Sequence, residues 1–170
     1  MNRGITVRKE RATDIDAIGR LTEAAFRDHP HSDHTEQLII DTLRRCDRLT
    51  ISLVAVECGA VLGHVALSPV TISSGVARWY GLGPVSALPS RQREGIGSML
   101  VNSALAELKR IGAAGCVVLG DRGFYGRFGF EAHPGLFLPG ASAEYFQAIS
   151  FGAEPPTGSV RYDEAFGATT

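Results

Sequence analysis

Hydrophobic and polar positions along the chain change their spacing several times, and each change predicts an element. Residues 5–7 alternate between apolar and polar, which predicts a half-buried strand. Apolar residues then recur every three or four positions up to Pro30, which predicts a first helix with Thr13 as its N-cap. A second helix is predicted to begin near Asp33, with Glu36 as the reciprocal capping residue.

From residue 50 the chain becomes rich in β-branched and apolar residues, interrupted by short polar turns. Three strands joined by tight turns form an antiparallel meander. The predicted strands cover residues 50–57, 60–72 and 76–87.

The next segment predicts a strand–helix–strand unit. Apolar residues recur at helical spacing from Ile96 until Gly112, and a short apolar strand follows at 116–119. A helix between two strands favours parallel pairing of those strands in a βαβ unit. Residues 143–151 predict a short helix that runs into a strand, and a final short strand is predicted near Val160.

Composition and charge limit the classes of protein that fit this pattern. The length of 170 residues and the 44% hydrophobic content predict a single α/β domain over residues 1–170. Seventeen basic against eighteen acidic residues leave a net charge of −1, which argues against nucleic-acid or membrane partners. The chain shows neither a run of ~20 apolar residues nor a signal-peptide pattern, so a cytoplasmic protein is expected.

Cysteine and histidine spacing gives no sign of a metal site. Cys46, Cys58 and Cys116 are odd in number and form no Cys-x-x-Cys pair, so three reduced thiols are expected. Residues 28–34 contain three histidines and two aspartates, but a loop with Pro30 at its centre does not fix tetrahedral geometry. We therefore expect no metal.

The turn before the long helix has the character of an anion site. Small or conformationally free residues occur where the helix opens, at Gly95 and Gly97, and unpaired N–H groups at such a helix start attract phosphate. Arg91 and Arg93 supply local positive charge. A turn with glycines for tight packing is the alternative. A dinucleotide fingerprint would need Gly or Ala where Leu100 stands, and no Gly-Lys-Ser/Thr of a P-loop is present.

These blocks together resemble the GNAT superfamily of N-acetyltransferases, and more narrowly its YhbS-like bacterial branch. The most specific parts are Gln92-x-x-Gly95-x-Gly97 and the aromatic segment 125–130, with further matching blocks at 53–55, 63–70, 82–89 and 158–166. The resemblance implies the GNAT fold: a mixed, largely antiparallel sheet, split near its middle and flanked by helices.

The resemblance also implies acetyl-CoA as cosubstrate, with no metal. In such enzymes the splayed strand pairs with pantetheine and the helix-opening turn holds the pyrophosphate. The residues that correspond here are Val85, Ser86, Ala87, Gln92, Arg93, Glu94, Gly95, Ile96, Gly97 and Ser98. Glu94 departs from the basic or small residue usual in relatives, which puts cofactor affinity in doubt.

Tyr125 is the expected general acid, because an equivalent tyrosine in the family lies near the sulfur and protonates the leaving thiolate. A packing role among neighbouring phenylalanines is the alternative. No general base is assigned: His64, Asp121 and Glu57 are possible relays, but each is more often a structural polar residue, so none is placed among the catalytic residues. The histidine-containing loop 28–34 overhangs the acceptor site in this family.

The resemblance therefore implies direct transfer of an acetyl group to a primary amine in a ternary complex. A thiol nucleophile at Cys116 is not favoured, since it lies in an apolar strand without a paired base. The alternative function is a catalytically degenerate acyl-CoA-binding or regulatory module with the same fold. The acceptor is a small-molecule or protein amine of unassigned identity, and both a monomer and a homodimer fit.

Overall fold

The computed structural model describes residues 4–30, 32–152 and 154–167. Nine strands and four α-helices lie within these ranges, with short 3-10 turns between some of them. In chain order they are β1 (Thr6–Lys9), α1 (Ile15–Phe26), α2 (Glu36–Arg45), β2 (Ile51–Glu57), β3 (Ala60–Pro69), β4 (Thr71–Ile72), β5 (Trp79–Ala87), α3 (Ile96–Arg110), β6 (Gly115–Leu119), α4 (Arg122–Tyr125), β7 (Leu136–Phe137), β8 (Phe146–Ser150) and β9 (Gly158–Arg161).

The strands form a mixed, mostly antiparallel arrangement, which confirms the predicted fold class. Six strands follow the order β1-β2-β3-β5-β6-β8, and three short strands follow the order β4-β9-β7. β5 and β6 run parallel on either side of α3 in the sequence, as the βαβ prediction requires. Their recorded pairing covers only Trp79 to Gly81 of β5. The later part of β5, beyond Gly83, contains the predicted cofactor residues Val85 to Ala87.

By contact density the chain divides into two compact units. The first comprises residues 1–67, 83–104 and 164–170, and the second comprises 68–82 and 105–163. In the first unit, Ile18 of α1 and Ile40 of α2 pack on Val54, Val56 and Ala66. In the second unit, Trp79, Val117 and Phe146 form the centre of another apolar cluster. The expectation of one domain over 1–170 stays a prediction.

Two helix starts differ from the sequence-based expectation. Thr13 is not an N-cap, because it lies in a 3-10 turn, and Asp14 instead accepts the Arg11 N–H at 2.7 Å. α2 begins at Glu36 rather than near Asp33. The Ser32 hydroxyl donates to the Glu36 carboxylate at 2.5 Å, a bond that belongs to a turn before the helix.

The strand expected over 60–72 is interrupted after Pro69. Thr71 and Ile72 pair with Arg161 and Val160 of β9, so they belong to the three-stranded sheet. Residues 143–145 form a turn and not the expected short helix, and β8 follows them directly. No helix among the described residues is long and apolar enough to cross a membrane.

Candidate active site

The opening turn of α3 has the backbone of an anion-binding loop. Arg93 and Gly95 both have positive φ, 68° and 83°, a conformation that is uncommon for a residue other than glycine. Turns of this kind direct successive N–H groups into a concavity. The Met99 N–H donates to the Gly95 carbonyl at 3.0 Å, as in the first turn of an α-helix. In general, the first N–H groups of a helix have no carbonyl partner four residues earlier within it.

Exposure agrees with a turn that faces a ligand. Gln92, Arg93, Glu94 and Gly95 are exposed, whereas the Ile96 side chain is only 1% exposed. Ile96 therefore anchors the helix start in the core and offers a ligand only its backbone. The Glu94 carboxylate, which was expected to weaken cofactor binding at this turn, forms an ion pair with Arg91.

Arg91 forms a clamp with two carboxylates. Its Nε lies 2.7 Å from Glu94 Oε2, and its NH1 lies 2.9 Å from Glu57 Oε2. The guanidinium lowers the pKa of Glu94, and the two carboxylates raise the pKa of Arg91. The positive charge expected from Arg91 is thus partly neutralised, and Glu57, one of the candidate relays, is an ion-pair partner here.

Gly63 of β3 allows α3 to approach the sheet closely. A Cβ at this position would lie 2.6 Å from Ile96 Cγ2, 3.0 Å from Leu100 Cδ1 and 3.0 Å from the Ser86 carbonyl oxygen. Contacts below 3.0 Å do not occur for real Cβ atoms, so no other residue fits without movement. This close approach brings the start of α3 against β3, and no local pattern in the sequence predicts it.

The predicted cofactor strand, Val85 to Ala87, lies in β5 of the first unit. Val85 and Ala87 are partly exposed, and Ser86 is 4% exposed. The Ser86 hydroxyl is buried with no hydrogen-bond partner. All ten predicted cofactor residues therefore lie in the same unit, on β5, in the turn before α3 and in the first turn of α3.

Tyr125 lies in the second unit, at the end of the short helix α4. It is half-buried, and its ring packs edge-on against Phe124 and Phe130 with centroids 4.9 and 5.9 Å apart. Gly120 makes room for it, since a Cβ there would lie 2.6 Å from the Tyr125 ring. Burial raises the pKa of Tyr125 to about 12, with a smaller contribution from Cys116. The phenol is therefore protonated at neutral pH.

Asp121, Cys116 and the nearby Arg127 of the second unit all have structural surroundings that account for them. The Asp121 carboxylate accepts the Phe124 N–H at 3.1 Å and so caps α4. The Arg127 guanidinium lies 5.0 Å from the centre of the Phe124 ring and 5.7 Å from that of Phe128. Cys116 is fully buried, and burial raises the pKa of its thiol, which disfavours the thiolate.

His64, the third candidate relay, lies in the first unit and is completely buried. Its Nε2 is 2.7 Å from the Ser52 hydroxyl, which in turn bonds to the Glu10 carboxylate. Arg44 holds Glu10 through two bonds of 2.9 and 3.0 Å. The only signal for this chain of groups in the sequence is a histidine within an otherwise apolar strand.

The histidine-containing loop shows no metal-binding arrangement within the described residues. His31 lies outside them, so the structure does not test its predicted position. Of the remainder, the His29 ring packs near Phe26 at 5.8 Å, and the His34 N–H donates to Ser32. No group of three His, Cys, Asp or Glu side chains that could hold a metal is found in residues 4–30, 32–152 and 154–167.

Comparison with known proteins agrees with this geometry. The family model described as an acetyltransferase (GNAT) domain matches residues 6–133. The uncharacterized N-acetyltransferase YhbS of Escherichia coli K12 is 34% identical over 167 residues, which cover 94% of this chain and 97% of that protein.

Two solved structures are similar over nearly the whole chain. A GNAT family acetyltransferase from Brucella melitensis, in complex with acetyl-CoA, is 50% identical with a TM-score of 0.86, covering 95% of this chain and 97% of that one. YhbS from Escherichia coli, in complex with CoA, is 31% identical with a TM-score of 0.87, covering 98% and 93%. The resemblance inferred from the motifs is thereby confirmed: this chain belongs to the GNAT family of acetyltransferases.

Proposed function

We propose that the protein is an N-acetyltransferase that moves the acetyl group of acetyl-CoA to a primary amine. The observation that carries the proposal is the opening turn of α3, where Arg93 and Gly95 have positive φ above the buried anchor Ile96. Relatives with the same fold are bound to acetyl-CoA or CoA in their structures. Family membership and local geometry therefore support the same ligand.

In this proposal the diphosphate of CoA binds the main-chain amides of residues 93–98. The amino-terminal end of a helix carries the positive end of the helix dipole, which favours a phosphate group there. Arg93 adds a guanidinium at the exposed rim of the turn. The Val85–Ala87 segment offers backbone groups to pantetheine, and the Val85 N–H donates to the acetyl carbonyl, where negative charge develops.

Tyr125 is proposed to protonate the departing thiolate. The neutral amine nitrogen bonds to the acetyl carbon as the C–S bond breaks, and the sulfur takes the phenolic proton. The nitrogen loses one proton to solvent, and the tyrosinate regains one from solvent. A raised pKa keeps that proton in place at neutral pH, but it also makes Tyr125 a weaker acid than a free phenol. Transfer of the proton from Tyr125 to sulfur therefore requires that the thiolate is desolvated as well. Desolvation raises the pKa of the thiol and so makes the thiolate a stronger base.

We propose direct attack by the amine rather than an acyl-enzyme. The only cysteine thiol in β6, that of Cys116, is buried and has a raised pKa, so it is a poor nucleophile. Initial rates measured with both substrates varied should give intersecting lines. Parallel lines would indicate an acyl-enzyme, and Cys116→Ala should then abolish turnover.

The test of the whole proposal is release of CoA thiol from acetyl-CoA by the purified protein with a panel of amines. The panel includes spermidine, an aminoglycoside, free amino acids and peptides with lysine or a free N-terminus. Thiol release with at least one amine supports the enzyme. Thermal protection by acetyl-CoA without release from any amine supports an acyl-CoA-binding module, and no protection by acetyl-CoA contradicts both functions.

A further inference from the structure

Gln147 of β8 is a buried polar residue that the mechanism above does not involve. Its side chain is enclosed, with only 2% of the residue exposed. A buried amide needs hydrogen-bond partners, and here Nε2 donates to the Gly120 carbonyl at 3.1 Å and to the Tyr145 carbonyl at 3.4 Å. Because both neighbouring groups are acceptors, the amide nitrogen and not the amide oxygen must face them. The side chain therefore links two main-chain carbonyls just beyond the paired parts of β6 and β8.

The Gly120 carbonyl takes its donor from a side chain because the strand ladder ends there. Gly120 and Tyr145 follow the last recorded pair of the antiparallel strands β6 and β8, and a hydrogen-bonded pair at this position exchanges two main-chain bonds. The Gly120 N–H donates to the Tyr145 carbonyl at 2.9 Å, but the Tyr145 N–H donates to the Ser142 carbonyl at 3.1 Å. The Gln147 side chain thus replaces the main-chain donor that the Gly120 carbonyl would otherwise have.

Gly120 is also the residue against which the Tyr125 ring packs. A Cβ at Gly120 would lie 2.6 Å from Tyr125 Cε2 and 3.7 Å from Cζ, the carbon that carries the hydroxyl. The next residue, Asp121, accepts the Tyr125 N–H through its carbonyl at 3.0 Å, and its carboxylate caps α4. One peptide group, between Gly120 and Asp121, therefore separates the Gln147 amide from the helix that carries Tyr125. All of these residues lie in the second unit.

We infer that Gln147 is a positioning residue for Tyr125. By holding the Gly120 carbonyl, Gln147 fixes the plane of the peptide that leads into α4, and so fixes the direction of the Tyr125 hydroxyl. The inference rests on the proposed role of Tyr125 as the group that protonates the leaving thiolate. Proton transfer requires the donor within hydrogen-bond reach of the acceptor, so a change of direction should affect the chemical step more than binding.

The same two bonds also stabilise the end of the sheet, and a double-mutant cycle separates the two roles. Gln147→Met keeps the length of the side chain and removes both donors. If Gln147 acts through Tyr125, this substitution should lower kcat in the wild-type background and have no further effect in Tyr125→Phe. If Gln147 only supports the fold, it should lower kcat by the same factor in both backgrounds.

We expect Gln147→Met to lower kcat by about tenfold to a hundredfold, since a misplacement of ~1 Å at a reacting group can cost about a hundredfold. In the Tyr125→Phe background the further change should stay within about twofold. The KM for the amine, and the Kd for acetyl-CoA measured by calorimetry, should change less than about threefold. A wild-type kcat in Gln147→Met, or equal factors in both backgrounds, would overturn the inference.

Phe146→Leu is the matched control for loss of stability. Phe146 precedes Gln147 on β8 and is buried in the apolar cluster with Trp79 and Val117. This variant should lower Tm and keep kcat within about twofold of wild type. Gln147→Asn keeps the amide but shortens the side chain by one methylene group, so it weakens the same bonds and should show the same pattern if Gln147→Met does not fold.

A second readout does not need turnover. In protein labelled with ¹³C at tyrosine, the ring resonances of Tyr125 should shift between wild type and Gln147→Met by more than those of Tyr80 on β5. Unchanged Tyr125 resonances would overturn the inference, whatever the effect on kcat. Shifted resonances in a protein that acetylates no amine would overturn the proposed function and the catalytic meaning of the inference, while the link from Gln147 to Tyr125 would stand.

Discussion

Replacing Gly63 by alanine should weaken CoA binding through the packing of α3 on β3. The new methyl group would lie 2.6 Å from Ile96 Cγ2 and 3.0 Å from Leu100 Cδ1 and the Ser86 carbonyl. Side chains can rotate away, but the carbonyl is backbone, so the strand or the helix must shift. Overpacking of this kind costs about 1–3 kcal/mol, which at this chain length lowers Tm by roughly 2–4 °C per kcal/mol.

The shift also displaces the amides of the phosphate-binding turn, because Ile96 is the first residue of α3. Loss of one charge-assisted hydrogen bond is worth about 1.5–3 kcal/mol, so the Kd for CoA should rise roughly tenfold to a hundredfold. Isothermal titration calorimetry with CoA measures this Kd.

Gly115→Ala is the matched control for general destabilisation. A Cβ there would lie 2.3 Å from the Trp79 ring, in the second unit and on a different strand. It should lower Tm while leaving the Kd for CoA within about twofold of wild type. The reasoning is refuted if Gly63→Ala binds CoA like wild type, or if both variants lose affinity in proportion to their loss of Tm.

Three further predictions concern single groups. Tyr125→Phe should lower kcat at least about a hundredfold, as loss of a general acid does, with an unchanged Kd for acetyl-CoA; a wild-type kcat in the thiol-release assay would remove Tyr125 from the mechanism. Glu94→Gln should tighten CoA binding a few-fold at low salt and less at high salt, since the carboxylate is exposed beside the turn; weaker binding in calorimetry would contradict this. Burial lowers the pKa of His64 from 6.5 to about 4, so the unfolded chain takes up a proton here before the folded chain does. The free energy of unfolding should therefore fall by about 3 kcal/mol as the pH falls from 6.5 toward 4. Urea unfolding across this range should show that loss in wild type, and a loss of the same size in His64→Gln would assign it to other groups.

Elements specified by local sequence were predicted well. The helix α3 has clean helical spacing and ends before Gly112, whose φ of 80° suits glycine. The apolar strand β6 has no competing pattern, and its parallel partner β5 follows from the intervening helix. The glycine-rich turn, too, is local, so its position could be inferred, whereas its phosphate-binding role stays a prediction.

Features that depend on partners distant in sequence were missed. The break after Pro69 occurs because Thr71 and Ile72 pair with β9, about 90 residues later. Thr13 was wrongly predicted as the N-cap of α1, because the structure instead places Asp14 at the helix start, where Arg8 binds it at 2.7 Å. Local spacing carries no information about either pairing.

The same limit applies to the candidate site. Motif reasoning identified Arg91 as a charge for phosphate, but it cannot show that Glu57, from another strand, neutralises part of that charge. The sequence likewise points to His64 without revealing its contact with Ser52 or the bond from Ser52 to Glu10.

The most direct test of the central claim is a titration of the ¹⁵N-labelled protein with CoA, followed through its backbone amide resonances. If the diphosphate binds the start of α3, the largest shifts should fall on residues 93–98. The account would be contradicted if the protein were saturated with CoA while the resonances of these amides kept their chemical shifts, or if CoA did not bind at all.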